Sequence, residues 1–163
     1  MSILLILAYL LILASEICFS QRLHTDLCKK HQFSSICDGN LGFDRIHMPQ
    51  INEDIFDRWL KTVDKIGFHR SIFPHYLTPT QKEINLKIVV NIMRYGISCD
   101  STIFVAYHEK RHYVIDGHHR YAACRLLSTG KINAIIVNIA PVIMINTLNN
   151  FSGVDHYDVL AVG

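Results

Sequence analysis

Residues Tyr113–Cys124 read Tyr-Val-Ile-Asp-Gly-His-His-Arg-Tyr-Ala-Ala-Cys, and the change of pattern within them predicts the fold. Tyr113, Val114 and Ile115 suit a buried strand, Asp116-Gly117 an abrupt turn, and Ala122-Ala123 a helix that lies close against a sheet. With Asp116 as the cap, the amides of Gly117, His118 and His119 fall in the first helical turn, where no intrahelical carbonyl reaches them. Those amides, the positive end of the helix dipole and nearby Arg120 make an anion site suited to phosphate. Gly117 lets a ligand approach the backbone, and two imidazoles add donors whose charge changes near neutral pH. The same residues also read as a purely structural strand-to-helix turn with a solvated His-His-Arg, and the pattern alone does not separate the two. Adjacent histidines point in different directions on a helix, which argues against a two-histidine metal site.

Working outward, Thr102–Tyr107 and His112–Asp116 predict a hairpin joined by the charged turn His108-Glu109-Lys110-Arg111. The helix after the turn runs to about Thr129 and stops at Gly130, and Ile132–Ile139 is a strongly apolar strand. Upstream, Thr78-Pro79-Thr80-Gln81 predicts a helix start, with Thr78 as the capping hydroxyl, proline at the first helical position and Gln81 closing a capping box. Ile84, Ile88, Val89 and Ile92 form the buried stripe of that helix, and Gly96 ends it. Arg45–Ile51 is extended, since Pro49 biases Met48 away from helix. Asn52 caps a helix with Glu53 and Asp54 in its first turn, Ile55, Phe56, Leu60, Val63 and Ile66 on its apolar face, and Gly67 as its stop. Phe56 and Trp59, at helical spacing, belong to the core. Residues 68–77 are expected to be irregular, and Pro141 opens an apolar turn or helix that loosens through Asn149–Gly153. The alternation predicts an α/β (α+β) single domain: a small mixed sheet with flanking helices.

Composition agrees. The chain has 163 residues, about one domain's length, with 50% hydrophobic and 18% charged residues, which excludes a disordered chain. A net charge of +2 is too small to indicate strong nucleic-acid binding. The mean hydropathy of +0.20 owes much to Ile3–Ala14, an uncharged apolar run too short to span a bilayer and fitting the core of a secretory signal peptide. Cys18 and Ser20 suit cleavage before Gln21, so the chain divides into a signal peptide (1–20), an N-terminal extension (21–40), the domain (41–140) and a C-terminal tail (141–163). The expected localisation is secreted, with no mature transmembrane segment.

Secretion leaves Cys28, Cys37, Cys99 and Cys124, an even number that favours disulfides, with Cys28–Cys37 and Cys99–Cys124 the favoured pairs. A metal site of Cys28, His31 and Cys37, or a buried Cys124 thiol, are the alternatives. Asn150-Phe151-Ser152 is a glycosylation sequence, or else an unmodified turn. His47, His69, His75 and His156 form no usable spacing, and Asp155 and Asp158 read as exposed tail rather than a metal pair.

Three blocks in order, Arg45–Ile51 (R-x-x-M-P-Q-I), Leu77–Ile84 (L-T-P-T-Q-x-E-I) and Val114–Ala123 (V-I-D-G-H-H-R-Y-A-A), resemble the ParB/sulfiredoxin superfamily. The chain is most similar to the ParB-like branch with a D-G-H-H-R motif, which includes free-serine kinases, and the resemblance covers about residues 41–140. It implies a small mixed sheet and nucleotide phosphates, ATP or ADP with Mg²⁺, at the start of the helix after the motif. Gly117, His118, His119 and Arg120 would hold phosphate, with Thr80 and Gln81 near the nucleotide. Asp116, His118 and His119 would be the catalytic groups, Asp116 as loop orienter, base or Mg²⁺ ligand.

Departures bound the reading. Sulfiredoxins carry a catalytic cysteine immediately before the His-Arg pair, and His118 stands there, so sulfinic-acid reduction lacks its nucleophile. The chain after Ala140 is too short for the helix-turn-helix domain of chromosome-partitioning ParB proteins. The early acidic base of the kinases has no secure counterpart; Glu53 and Asp54 stand in its region by order alone. The expectation is a secreted domain binding a nucleotide or other phosphorylated small molecule, with phosphoryl transfer or nucleotide hydrolysis as its chemistry. A metal-dependent nuclease and a catalytically inactive binding module are the alternatives.

Overall fold

The computed structural model describes residues 43–81, 84–95, 101–127 and 130–154. Residues 1–20, expected as a signal peptide, and Cys28, Cys37, Cys99, Asp155, His156 and Asp158 lie outside them. Five strands, β1 (Gly67–Ile72), β2 (Leu77–Pro79), β3 (Ile103–His108), β4 (Arg111–Asp116) and β5 (Ile132–Asn138), form one mixed sheet in the order β1-β5-β3-β4-β2. β1 is antiparallel to β5 and β3 to β4, while β5–β3 and β4–β2 are parallel. Four α-helices, α1 (Glu53–Thr62), α2 (Leu86–Tyr95), α3 (His118–Leu127) and α4 (Pro141–Asn149), and two short 3-10 turns complete the described elements.

Side chains alternate across a strand, so β3, β4 and β5, which carry the consecutive apolar runs Ile103–Ala106, Tyr113–Ile115 and Ala134–Val137, must be covered on both faces. Ile103, Val105, Val114, Ile132, Ala134 and Ile136 pack with Val89 and Ile92 of α2 and Tyr121–Cys124 of α3. Phe104, Ala106, Tyr113, Ile115, Ile135 and Val137 pack with Phe56, Trp59 and Leu60 of α1 and Met144, Ile145 and Leu148 of α4. Ala122 and Ala123 are fully buried, which lets α3 lie against the sheet as its composition predicts. Phe56 and Trp59 stack at 5.3 Å within the core. The segment after Ala140, expected as a tail, thus begins with a helix that supplies core residues.

The hairpin forms as expected, two residues tighter: Glu109 and Lys110 both take positive φ, 48° and 63°, the backbone of a type I′ turn. Asn52 caps α1 by accepting from the Ile55 amide at 2.9 Å. That helix ends at Thr62 rather than running to Gly67, and Ile66 is 72% exposed instead of facing the core.

Three local expectations are corrected. Arg45–His47 is a short 3-10 turn, not extended chain, with the extended backbone beginning at Met48. Residues 68–77, expected to be irregular, hold most of β1 and the 3-10 turn Pro74–Tyr76. Thr78-Pro79-Thr80-Gln81 does not start a helix: Leu77–Pro79 is β2, an edge strand beside β4, where a proline lacking its N–H is tolerated. The helix begins at Leu86, and Asn85 accepts from the amides of Ile88 and Val89 through its side chain and carbonyl.

Candidate functional site

The turn from β4 into α3 is built around Gly117, which takes φ +91° and is buried. A Cβ there would overlap Ile103 Cγ2, so the backbone and the packing both require glycine. The Gly117 carbonyl accepts from the Tyr121 amide at 2.9 Å and opens the helix. Asp116 does not cap further into the turn. Its Oδ1 accepts from the adjacent Gly117 amide at 2.6 Å, and its Oδ2 reaches across to the Ile51 amide at 3.0 Å. Burial raises its pKa above the ordinary carboxylate value; the Ile51 amide, Arg120 and the Gly117 amide pull the other way.

The two histidines do similar work on other segments. His118 is 3% exposed, and its Nε2 accepts from the Thr80 and Gln81 amides at 3.3 and 3.2 Å. An amide can only donate, so Nε2 is unprotonated and the ring's proton sits on Nδ1. Burial, then the charges of His119 and Arg45, lower its pKa from 6.5 to about 3 against the opposing effect of the Val114 carbonyl. His119 Nε2 likewise accepts from the Asn85 amide at 3.1 Å, and burial with Arg45 and Arg120 lowers its pKa to about 4. Both rings are therefore neutral at physiological pH. Thr80, fully buried, donates its hydroxyl to the Val114 carbonyl at 2.6 Å.

Above this framework lies a cleft of about 540 Å³ between α1, α2 and the start of α3. Arg45, Arg120, Gln50, Asn52 and Gln81 give it polar edges, and Ile51, Ile55, Ile88 and Ile92 give it an apolar wall. Arg120 is steadied by donating from Nη1 to the Thr102 carbonyl at 2.6 Å. The amides of His119 and Arg120 belong to the first turn, where a helix offers no internal acceptor. Among the described residues, Asp116 is the one carboxylate on the cleft, and both of its oxygens already accept amides. This donor set suits an anion. It does not fit a Mg²⁺ ion held by the protein, which would need carboxylate oxygens to spare. Among the described residues, no three His, Cys, Asp or Glu side chains gather to hold a metal.

No family model matches the chain, and no curated protein matches it. Part of the fold is similar to sulfiredoxin from Arabidopsis thaliana. The likeness covers 50% of this chain and 97% of that one, at 16% identity and a TM-score of 0.41, too loose to carry a site or an activity across.

The structure brings Asp116, Gly117, His118, His119, Arg120 and Gln81 together at one cleft, with Thr80 beneath it. Sequence reasoning did not find Arg45, Gln50 and Asn52 as cleft residues. The first two stand in the R-x-x-M-P-Q-I block, which was the available clue. Asn150 is exposed at the end of α4, its Nδ2 donating to the Asn146 carbonyl. Cys124 is buried and disulfide-bonded, with its partner outside the described residues. Among the described residues, no helix is long and apolar enough to cross a membrane.

Proposed function

We propose that the cleft binds the phosphate end of a nucleoside phosphate or similar phosphorylated small molecule. The observation that carries this reading is the meeting of Arg45, Arg120 and the first turn of α3 in a cleft whose one described acid is committed to backbone amides. The isoleucine wall would cover the organic part of the ligand, and Gln50, Gln81 and Asn52 supply polar contacts to it.

Binding is better supported than turnover. Asp116, His118 and His119, the groups expected to move protons, each spend acceptor atoms on a distant backbone segment, which favours a binding module over a phosphotransferase or hydrolase. Thermal unfolding with ATP, ADP, CTP or inorganic phosphate tests binding. At ten times the dissociation constant a ligand should stabilise by about 1.4 kcal/mol and raise Tm by several degrees. Arg120→Met should abolish the shift, and no shift with any of these ligands would overturn the reading. Product release from the nucleotides, or nicking of single-stranded DNA, would instead establish turnover or a nuclease.

The protein is further proposed to be secreted after cleavage before Gln21, with Cys28–Cys37 and Cys99–Cys124 disulfides and a glycan on Asn150. The bonded state of Cys124 and the exposure of Asn150 support the last two. Intact mass of the secreted protein, before and after reduction and deglycosylation, tests all three.

A further inference from the structure

The sheet face that carries α2 and α3 is covered by them at one end. At the other, Phe68 and Arg70 of β1, Ile136 and Asn138 of β5, Tyr107 of β3 and His112 of β4 surround a second cleft of about 410 Å³. Strand pairing sets the arrangement. Phe68 lies opposite Ile136, Asn138 opposite Tyr107, and Tyr107 opposite His112, so these side chains stand on one face. The volume lies within the roughly 300–1,000 Å³ of small-molecule sites.

The chemistry of this cleft is specific. The Tyr107 and His112 rings, 4.8 Å apart and tilted by 42°, form one wall, and Phe68, 53% exposed, forms another. Burial and then Arg70 lower the His112 pKa, leaving an uncharged imidazole in the wall. Among the described residues no carboxylate lines the cleft, and the Arg70 guanidinium makes no hydrogen bond or ion pair with them. The cleft therefore offers two aromatic surfaces, one guanidinium without an acid and the Asn138 amide.

We propose that this cleft is a second ligand site, independent of the phosphate cleft, for a planar aromatic carboxylate. The ring system lies between Phe68 and the Tyr107–His112 pair, and the carboxylate takes the guanidinium of Arg70, with the Asn138 amide as a further donor. A planar monoanion matches the guanidinium fork and a single cation.

The test titrates the full chain with 2-naphthoate and with uncharged 2-naphthamide, following amide chemical shifts and binding heats. Saturable shifts at Phe68, Tyr107, His112 and Asn138, and weaker binding of the amide, are expected. Arg70→Met should weaken 2-naphthoate about tenfold and leave 2-naphthamide unchanged, with Arg70→Lys between them. Arg70 is exposed, and an unchanged far-ultraviolet spectrum confirms the variant's fold. Equal affinity for acid and amide, shifts centred on Arg120 instead, or no saturable shift would overturn the proposal.

Discussion

Neutral, buried His118 and His119 make stability fall as the solution is acidified, by an amount that can be worked out. In the unfolded chain each ring titrates near 6.5, whereas folding lowers the values to about 3 and about 4. Above pH 6.5 both states hold neutral rings and the contribution is fully present. Between 6.5 and the folded values only the unfolded state takes the protons, so stability is lost as pH falls through that window. At pH 5 the loss is about 2 kcal/mol per histidine, about 4 kcal/mol for the pair, whatever the folded values are so long as they stay at or below about 4. Asp116, whose folded pKa is raised by burial, works in the opposite sense as pH falls through its folded value, and His112 adds to the loss.

Urea unfolding at pH 7.5 and 5.0 measures the difference, which for about 100 packed residues should move the midpoint by about 3 M. His118→Gln isolates one ring, because its Oε1 can still accept from the Thr80 and Gln81 amides but cannot take a proton. The variant should lose about half of the pH dependence, leaving about 2 kcal/mol between the two conditions. Equal wild-type stability at both pH values, or a full pH dependence in His118→Gln, would refute the placement of a neutral imidazole there.

Three further outcomes follow from the geometry. Gly117→Ala should cost about 2–4 kcal/mol, from a strained positive φ plus overlap with Ile103, read as a lower urea midpoint. Replacing Glu109-Lys110 by Asn-Gly should stabilise by about 1–2 kcal/mol, because both positions already hold the left-handed backbone that those residues favour. Asn52→Ala should cost about 1 kcal/mol in thermal unfolding by removing the cap on Ile55.

The elements whose cause is local were legible in the sequence. The Asn52 cap, the hairpin and the strand after Gly130 follow from spacing and turn chemistry within a few residues. Thr78-Pro79-Thr80-Gln81 misled because its tertiary partners outweigh local propensity: the Thr80 hydroxyl goes to Val114 and the Gln81 amide to His118. β1 was hidden for a different reason. Its Phe68, Arg70 and Ile72 share one face, but the strand lies at the sheet edge and is mostly exposed, so alternation in apolarity is faint. At the site, Gly117 and Arg120 could be read from the turn, whereas the neutrality of the histidines depends on burial, which a one-dimensional pattern does not display. Arg45 comes from a segment about seventy positions away, joined to the site only by folding.

Asp116, His118 and His119 together hold the amides of Ile51, Thr80, Gln81 and Asn85, four positions 34 to 65 residues away in sequence. Three of them, the amides of Thr80, Gln81 and Asn85, are held by side chains of α3, so undocking α3 releases those three at once. They should therefore exchange with deuterium at one common rate, distinct from the rates of the fraying helix ends, and mark the cleft as a single cooperative unit. A ligand bound across Arg45 and Arg120 would slow all three together, including amides it never touches.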